Sequence, residues 1–250
     1  MNKFTVAIII LILGAFGALV AFSIIHPNQE PETDYSSINT SKIIEAREEN
    51  GYIADHVRGN ANSSVVVVEY ADYQCPGCAS MAPHIDSIYN KYKDEVAFVF
   101  RNFPISGHAN ARAASAAAEA AGKQGYYWEM YEILYSNQSS WKEKTGEART
   151  NTLAELFAGV AKDGDVNQFR TDLSNEDILK KIDFDYALGK DYDNVTATPS
   201  VHINGEWVDI TDIKTFDEVE DAICNKIDIA LGKKSASTAE TKTSSASAEE

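Results

Sequence analysis

Four successive valines, Val65–Val68, run through Glu69-Tyr70-Ala71-Asp72 into a Cys75-Pro76-Gly77-Cys78 turn, and the turn opens directly into a helical pattern. An unbroken β-branched run of strand length fits a strand covered on both faces; a half-exposed strand would alternate apolar with polar residues. After the turn, Met81, Ile85, Ile88 and Tyr92 recur at helical spacing, and Val96 to Arg101 is again strand-like. A helix between two strands implies a parallel pair with a right-handed crossover. This beginning commits the chain to an α/β architecture.

The rest of the chain follows in order. Lys42 to Val57 is mixed, and a short helix leading into an edge strand fits it. From Ala109 to Tyr192 the pattern is helical throughout, with apolar stripes at Tyr127, Met130, Tyr131 and Leu134 and at Leu153, Leu156, Phe157 and Val160. Those aromatics read as core, not as a cofactor box. Thr152 and Glu155 have the spacing of a capping box, which would start a helix there. Strand character resumes at Ser200–Ile203 and 206–210, around the hairpin signal Asn204-Gly205. Thr215 and Glu218 then open a last amphipathic helix carrying Phe216, Val219, Ile223 and Ile227. Strand–helix–strand, a helical block, then strand–strand–helix resembles a thioredoxin-like fold with an all-helical subdomain inserted at about residues 105–192.

Only three cysteines occur, Cys75, Cys78 and Cys224, so a framework of structural disulfides is excluded. A pair two residues apart at a strand-to-helix junction aims its first sulfur at a helix N-terminus. Unpaired N–H groups and the positive dipole end there favour a thiolate. Pro76 suits the first helical turn, where its missing N–H would have no intrahelical partner. Cys224 beside the last apolar stripe reads as a buried, inert thiol, with a reactive leftover cysteine outside the cytoplasm as the alternative. His84, His108 and His202 invite a metal site with the pair. Zinc, however, needs four compactly spaced ligands and only one C-x-x-C exists, so no metal is expected. The net charge of −16 argues against nucleic acid, whose phosphates would be repelled.

Residues 1–3 precede an uncharged stretch, Phe4 to Ile25, that would span roughly 33 Å as a helix, enough to cross a bilayer. Lys3 on one flank and Glu30, Glu32 and Asp34 on the other place the N-terminus in the cytoplasm and the folded part outside. A cleaved signal peptide with Ala21-Phe22-Ser23 at its end is the alternative, but the run is long for one. The expected organisation is thus a single-pass anchor at 4–25, a polar linker at 26–40, a folded unit at 41–231 and a disordered Ser/Ala/Thr/Lys/Glu tail at 232–250. An extracytoplasmic compartment lets a cysteine pair rest oxidised.

Residues 68–78 (VEYADYQCPGC), 100–108 (FRNFPISGH), 124–130 (QGYYWEM) and 197–205 (ATPSVHING) together resemble the DsbA-like thiol–disulfide oxidoreductases, particularly the membrane-anchored bacterial branch. The resemblance covers roughly 60–231. It implies an enzyme with no cofactor beyond its redox-active pair, oxidising cysteines of exported proteins. Cys75 would form the mixed disulfide and Cys78 resolve it, with a quinone-linked membrane protein re-oxidising the pair. Thr198 and Pro199 match the position of a cis-proline that faces the disulfide and pairs with a substrate chain, next to Pro76 and Gly77. Glu69 matches a buried acid that exchanges protons with the second cysteine; a carboxylate facing water is the plainer reading.

The family's strongest oxidants resemble this chain but carry His where Gly77 stands, so a more moderate oxidant is expected. Each unit by which the nucleophile's pKa falls below ambient pH favours the dithiol by about 1.4 kcal/mol, or about 30 mV. Two alternatives stay open: a reductase or isomerase using the same pair, and a redox-silent binding module in which Cys75–Cys78 is a staple. No coiled-coil or swapped element marks the chain, which reads as a monomer.

Overall fold

The valine run forms the central strand of a mixed sheet. In the computed structural model, which describes residues 34–235, strands β1 (His56–Gly59), β2 (Val66–Ala71), β3 (Ala97–Asn102), β4 (Ser200–Ile203) and β5 (Glu206–Trp207) lie in the order β1-β3-β2-β4-β5. Only β2 and β3 are parallel, joined through helix α1 (Pro76–Tyr92); the other neighbours are antiparallel. Every residue of β2 and β3 is buried, which is why neither strand alternates in polarity.

The described residues fall into two units divided after Ser37. In the first, the Asp34 carboxylate accepts from the Ser36 N–H at 2.8 Å. The second, from Ile38 onward, carries the sheet and all the helices named here. The apolar stretch 4–25 read as an anchor lies outside the described residues, as do positions 26–33 of the linker and 236–250 of the tail. Among the described residues no helix is long and apolar enough to cross a membrane.

Between β3 and β4 the chain forms α2 (Ala111–Gly122), α3 (Tyr127–Ser136), α4 (Gln138–Trp141), α5 (Gly146–Val160), α6 (Val166–Asp172) and α7 (Glu176–Ala187), then a π-helical turn at Leu188–Tyr192. Helix α8 (Phe216–Ala230) follows β5. Val65 and Val67 pack with Met81, Ile85 and Ile88 of α1 and with Ile223 and Ile227 of α8. Val66, Val68 and Tyr70 face the other way, toward Val99, Phe103 and Val195. The alanines of α2 pack with the aromatics of α3 and with Phe157 and Phe169 in the helical block's own core.

Local rules account for most boundaries. Thr215 and Glu218 form the expected capping box at α8. Asn204 and Gly205 both take positive φ, 50° and 84°, as a tight turn of the primed type needs. Two expectations are corrected. Thr152 and Glu155 do not start a helix: α5 begins at Gly146, and the Thr152 hydroxyl donates to Ala148 O within it at 2.9 Å while accepting from Lys144 Nζ. The second hairpin strand is two residues long and does not reach Ile210: paired residues end at His202–Trp207, with one further bond from the Val208 N–H to the Val201 carbonyl at 2.8 Å.

A buried ionic network joins the helical block to the sheet. Arg101 of β3 donates to the carbonyls of Thr40 and Lys42, to Tyr70 Oη and to Asp55 Oδ2, all within 3.0 Å. Lys181 of α7 donates to Asp55 Oδ1 at 3.0 Å and to Asp185 Oδ1 at 2.7 Å. Asp185 Oδ2 accepts from both nitrogens of Asn102, which in turn donates to Glu119, and Glu119 meets His56 at 2.7 Å. Burial would raise the Asp55 carboxyl, but Arg101 and Lys181 hold it well below its usual range. Removing one partner of such a pair strands a buried charge and costs about 3–5 kcal/mol. Lys181→Met should therefore lower the unfolding free energy by about 3–5 kcal/mol in a urea titration, with the folded spectrum retained.

Candidate active site

The strand-to-helix turn is braced before it reaches the cysteines. Asp72, fully buried just past β2, accepts from the N–H groups of Gln74 (2.7 Å) and Ile105 (2.9 Å) and lies 2.7 Å from His108 Nδ1. Gln138 Nε2 donates to the carbonyls of Tyr73 and Cys75 at 2.9 and 3.1 Å. Cys75 is thereby fixed as the N-cap of α1, with φ −67° and ψ 125°, and Pro76 is the first helical residue. His108 starts no catalytic constellation; it ties the loop after β3 to the cysteine turn.

The two sulfurs differ sharply. Cys75 is 8% exposed and Cys78 is fully buried. The Cys78 thiol, hydrogen-bonded to Cys75 sulfur, lowers the Cys75 pKa most. Burial opposes it, and Thr198 and the N–H groups of Cys78 and Gly77 add to the lowering, giving about 5. Burial pushes Cys78 the other way, far above the normal thiol range, and the neighbouring Cys75 charge adds to that. One sulfur is thus a thiolate at neutral pH while the other holds its proton. Cys224 lies on α8, and burial raises its pKa.

Thr198-Pro199 reaches this turn from the far end of the chain. The Thr198–Pro199 peptide is cis, and Cys75 Sγ lies 3.6 Å from Thr198 O. The Thr198 hydroxyl is buried with no hydrogen-bond partner, while its carbonyl accepts from Cys75, and Thr198 lowers the pKa of both thiols. A Cβ on Gly77 would sit 3.6 Å from both Cys75 Sγ and Pro199 Cδ. Glycine therefore leaves open the space between sulfur and proline that any side chain would fill. On the sheet side of Pro199 a groove of about 620 Å³ runs past Asp193, His202 and Trp207.

Glu69 does not face water. It is 4% exposed on β2; Tyr131 Oη donates to its Oε2 at 3.3 Å, and its Oε1 has no partner. Burial raises its pKa to about 7, against the pull of Arg58 and Tyr131. Arg58 reaches in from β1, held by Asp86 at 2.8 Å and by the rings of Tyr89 and Trp128 at 4.4 and 4.5 Å. Its field bears on Glu69, a role no motif in β1 announces. The aromatic stripe of α3 read as plain core likewise brings two hydroxyls, Tyr131 and Tyr135, to the back of the site. His84 pairs instead with Glu220 at 2.9 Å between α1 and α8, and His202 lies buried beside Ser200. Among the described residues no group of three or more His, Cys, Asp or Glu could hold a metal.

The geometry has counterparts in known proteins. The thioredoxin family's sequence model matches residues 52–224. The Na(+)/H(+) antiporter NhaA 1 of Salinispora arenicola is 35% identical over 153 residues, 60% of this chain but 22% of that protein. The chain thus spans under a quarter of that relative's length. The probable disulfide bond formation protein D of Bacillus cereus is 28% identical over 230 residues, 88% of this chain and 92% of that one. Among solved structures, oxidised BdbD from Bacillus subtilis superposes with a TM-score of 0.60 at 23% identity, over 76% of this chain and 98% of that one.

Two outcomes follow for the reduced protein. Thiolate absorbance should titrate with a midpoint near pH 5, and Cys75→Ser should abolish that step. Because folding depresses this pKa from 9.0, the stabilisation is complete above pH 9, falls as pH drops and is gone below about 5. Chemical denaturation of the reduced protein against pH should show stability rising across that window. Separately, Glu69→Gln should keep the Cys75 midpoint and remove the inflection near pH 7 from the rate at which Cys78 closes a mixed disulfide. An unchanged rate profile would take Glu69 out of the chemistry.

Proposed function

The chain belongs to the thioredoxin family, and from that premise we propose that it is a DsbA-like thiol–disulfide oxidoreductase acting outside the cytoplasm, with Cys75 as nucleophile and Cys78 as resolving thiol. The observation that carries this reading is the placement of two sulfurs a helical turn apart, one at the N-cap of α1 facing the cis Thr198-Pro199 bend at 3.6 Å and one fully buried. That placement drives their ionisation in opposite directions. A structural staple has no use for such a difference; disulfide exchange does, because it needs a good leaving thiolate and a protected second thiol.

The proposed direction is oxidation. A thiolate that ionises near pH 5 stabilises the reduced pair, and a stabilised reduced form makes the disulfide an oxidant. Substrates are reduced cysteine pairs of exported proteins. Thr198 and Pro199, with Pro76 and Gly77 opposite, offer the backbone edge along which an extended substrate chain would lie. A membrane protein linked to quinone would return the pair to the disulfide, and the apolar residues 4–25 would anchor the domain beside it as a monomer. Gly77 adds no cation next to the Cys75 sulfur, so the potential should lie below those of the strongest oxidants that carry His there.

The experiment is catalysed oxidation of a reduced, unfolded test protein. Wild-type protein should restore its disulfides, Cys75→Ser should not, and a redox titration should give a moderately oxidising potential. Reduction without oxidation would move the assignment to a reductase or isomerase. No turnover either way would leave only a binding module.

A further inference from the structure

Resting on the oxidoreductase reading, one region behind the cysteine pair has polar groups that the chemistry described so far does not use. A cleft of about 270 Å³ opens to solvent between α1 and α3, bounded by Ala79, Ala82 and Pro83 on one side and Tyr131 and Tyr135 on the other, with Asp86 at its side. Two small side chains on α1 keep it open. Pro83 lies inside the helix and has no N–H, so it cannot donate to the Ala79 carbonyl, leaving that acceptor beside the opening. The Tyr135 hydroxyl is buried with no partner, and so is Glu69 Oε1, the free oxygen of the carboxyl that Tyr131 holds by its other oxygen. Tyr131 and Tyr135 touch edge-to-face, with ring centroids 5.0 Å apart.

Such an arrangement is costly without a purpose, since each unpaired buried group forfeits its hydration. Asp86 is engaged by Arg58 at 2.8 Å, and Glu132 of α3, whose carboxyl burial and then Asp86 push upward, lines the cleft beside it. Of the two residues with an orphan oxygen, Tyr135 lines a cleft large enough to admit water, and Glu69 lies behind it, reached through Tyr131, which lines the same cleft and donates to the Glu69 carboxyl.

We propose that Tyr135 is a positioning residue for proton exchange at Cys78, ordering the path by which solvent in the α1–α3 cleft reaches the Glu69 carboxyl. Tyr135 packs in the same buried cluster as Cys78, and burial, then the charges of Cys78 and Glu69, push its hydroxyl well above the usual phenol range. Tyr135 therefore stays neutral and works as a hydroxyl, accepting from one neighbour while donating to the next.

The reaction supplies the need. In oxidation the first substrate thiolate attacks Cys75 Sγ; the mixed disulfide forms as the Cys75–Cys78 bond breaks, and Cys78 leaves as a thiolate. It takes one proton from Glu69, which regains one from solvent through the cleft. The second substrate thiolate then attacks the substrate sulfur of the mixed disulfide, closes the substrate's own bond and expels Cys75 as a thiolate. Two electrons pass from substrate to the pair. The substrate thiols have released two protons on ionising and Cys78 has kept one. Re-oxidation runs the same proton outward.

The test uses the reduced full chain and oxidised glutathione. Cys75 first forms a glutathione mixed disulfide, and Cys78, once deprotonated, then displaces glutathione and closes the ring. Tyr135→Phe should slow the second phase by about tenfold and shift its pH profile, while the first phase and the Cys75 titration stay as in wild type. In a Glu69→Gln background the same substitution should add nothing. A second phase as fast as wild type, or an equal slowing in the Glu69→Gln background, overturns the role of Tyr135. So does a parallel loss in both phases that tracks lowered stability. A wild-type protein that never closes the ring overturns the oxidoreductase reading itself, and this one with it.

Discussion

Two sulfurs one helical turn apart compete for a single proton, and the fold decides the contest. Cys75 sits where N–H groups and a neighbouring thiol converge; Cys78 is fully buried, and burial outweighs what the Asp72 backbone and Thr198 offer its charge. Neither condition is local. The helix start depends on Pro76 and on Gln138 reaching over from α4, and the burial of Cys78 depends on the aromatic wall of α3. The helical block therefore supplies the dielectric that separates the two ionisations, as well as covering the sheet.

The site is assembled from four distant pieces of chain: β2 with its turn, α3, the Thr198-Pro199 bend, and Arg58 on the outermost strand. Arg58 shows how such a site is tuned. Its guanidinium is stacked between rings and tied to Asp86, and its charge lowers the Glu69 pKa. Burial still prevails, and the acid sits near neutrality, where it can give and accept a proton under the same conditions.

The readable part of this architecture was whatever one stretch of chain fixes by itself. The valine run, the Cys75–Cys78 turn, the Asn204-Gly205 hairpin and the Thr215–Glu218 cap are local decisions of backbone and side chain. The capping-box pattern at Thr152 misled because the same four-residue spacing also occurs inside a helix, where a threonine hydroxyl donates one turn back. Arg58, Gln138 and Tyr135 carried no signal. Each is an ordinary residue in its own element, and its part comes from what packs against it. The π-helical turn at Leu188–Tyr192 was equally silent, although it brings Gly189 so near Phe103 and Tyr70 that a Cβ there would lie under 3 Å from both rings.

The hold of Arg101 on Thr40 and Lys42 has a mechanical meaning. Both carbonyls belong to the first stretch of the folded unit, and the guanidinium fastens them to β3, in the middle of the sheet. A pull arriving from the N-terminal side would thus be taken up by β3, an interior strand paired on both of its sides. The cysteine turn leaves from β2, the neighbouring strand, so the fastening of that first stretch and the seating of the sulfurs rest on different strands.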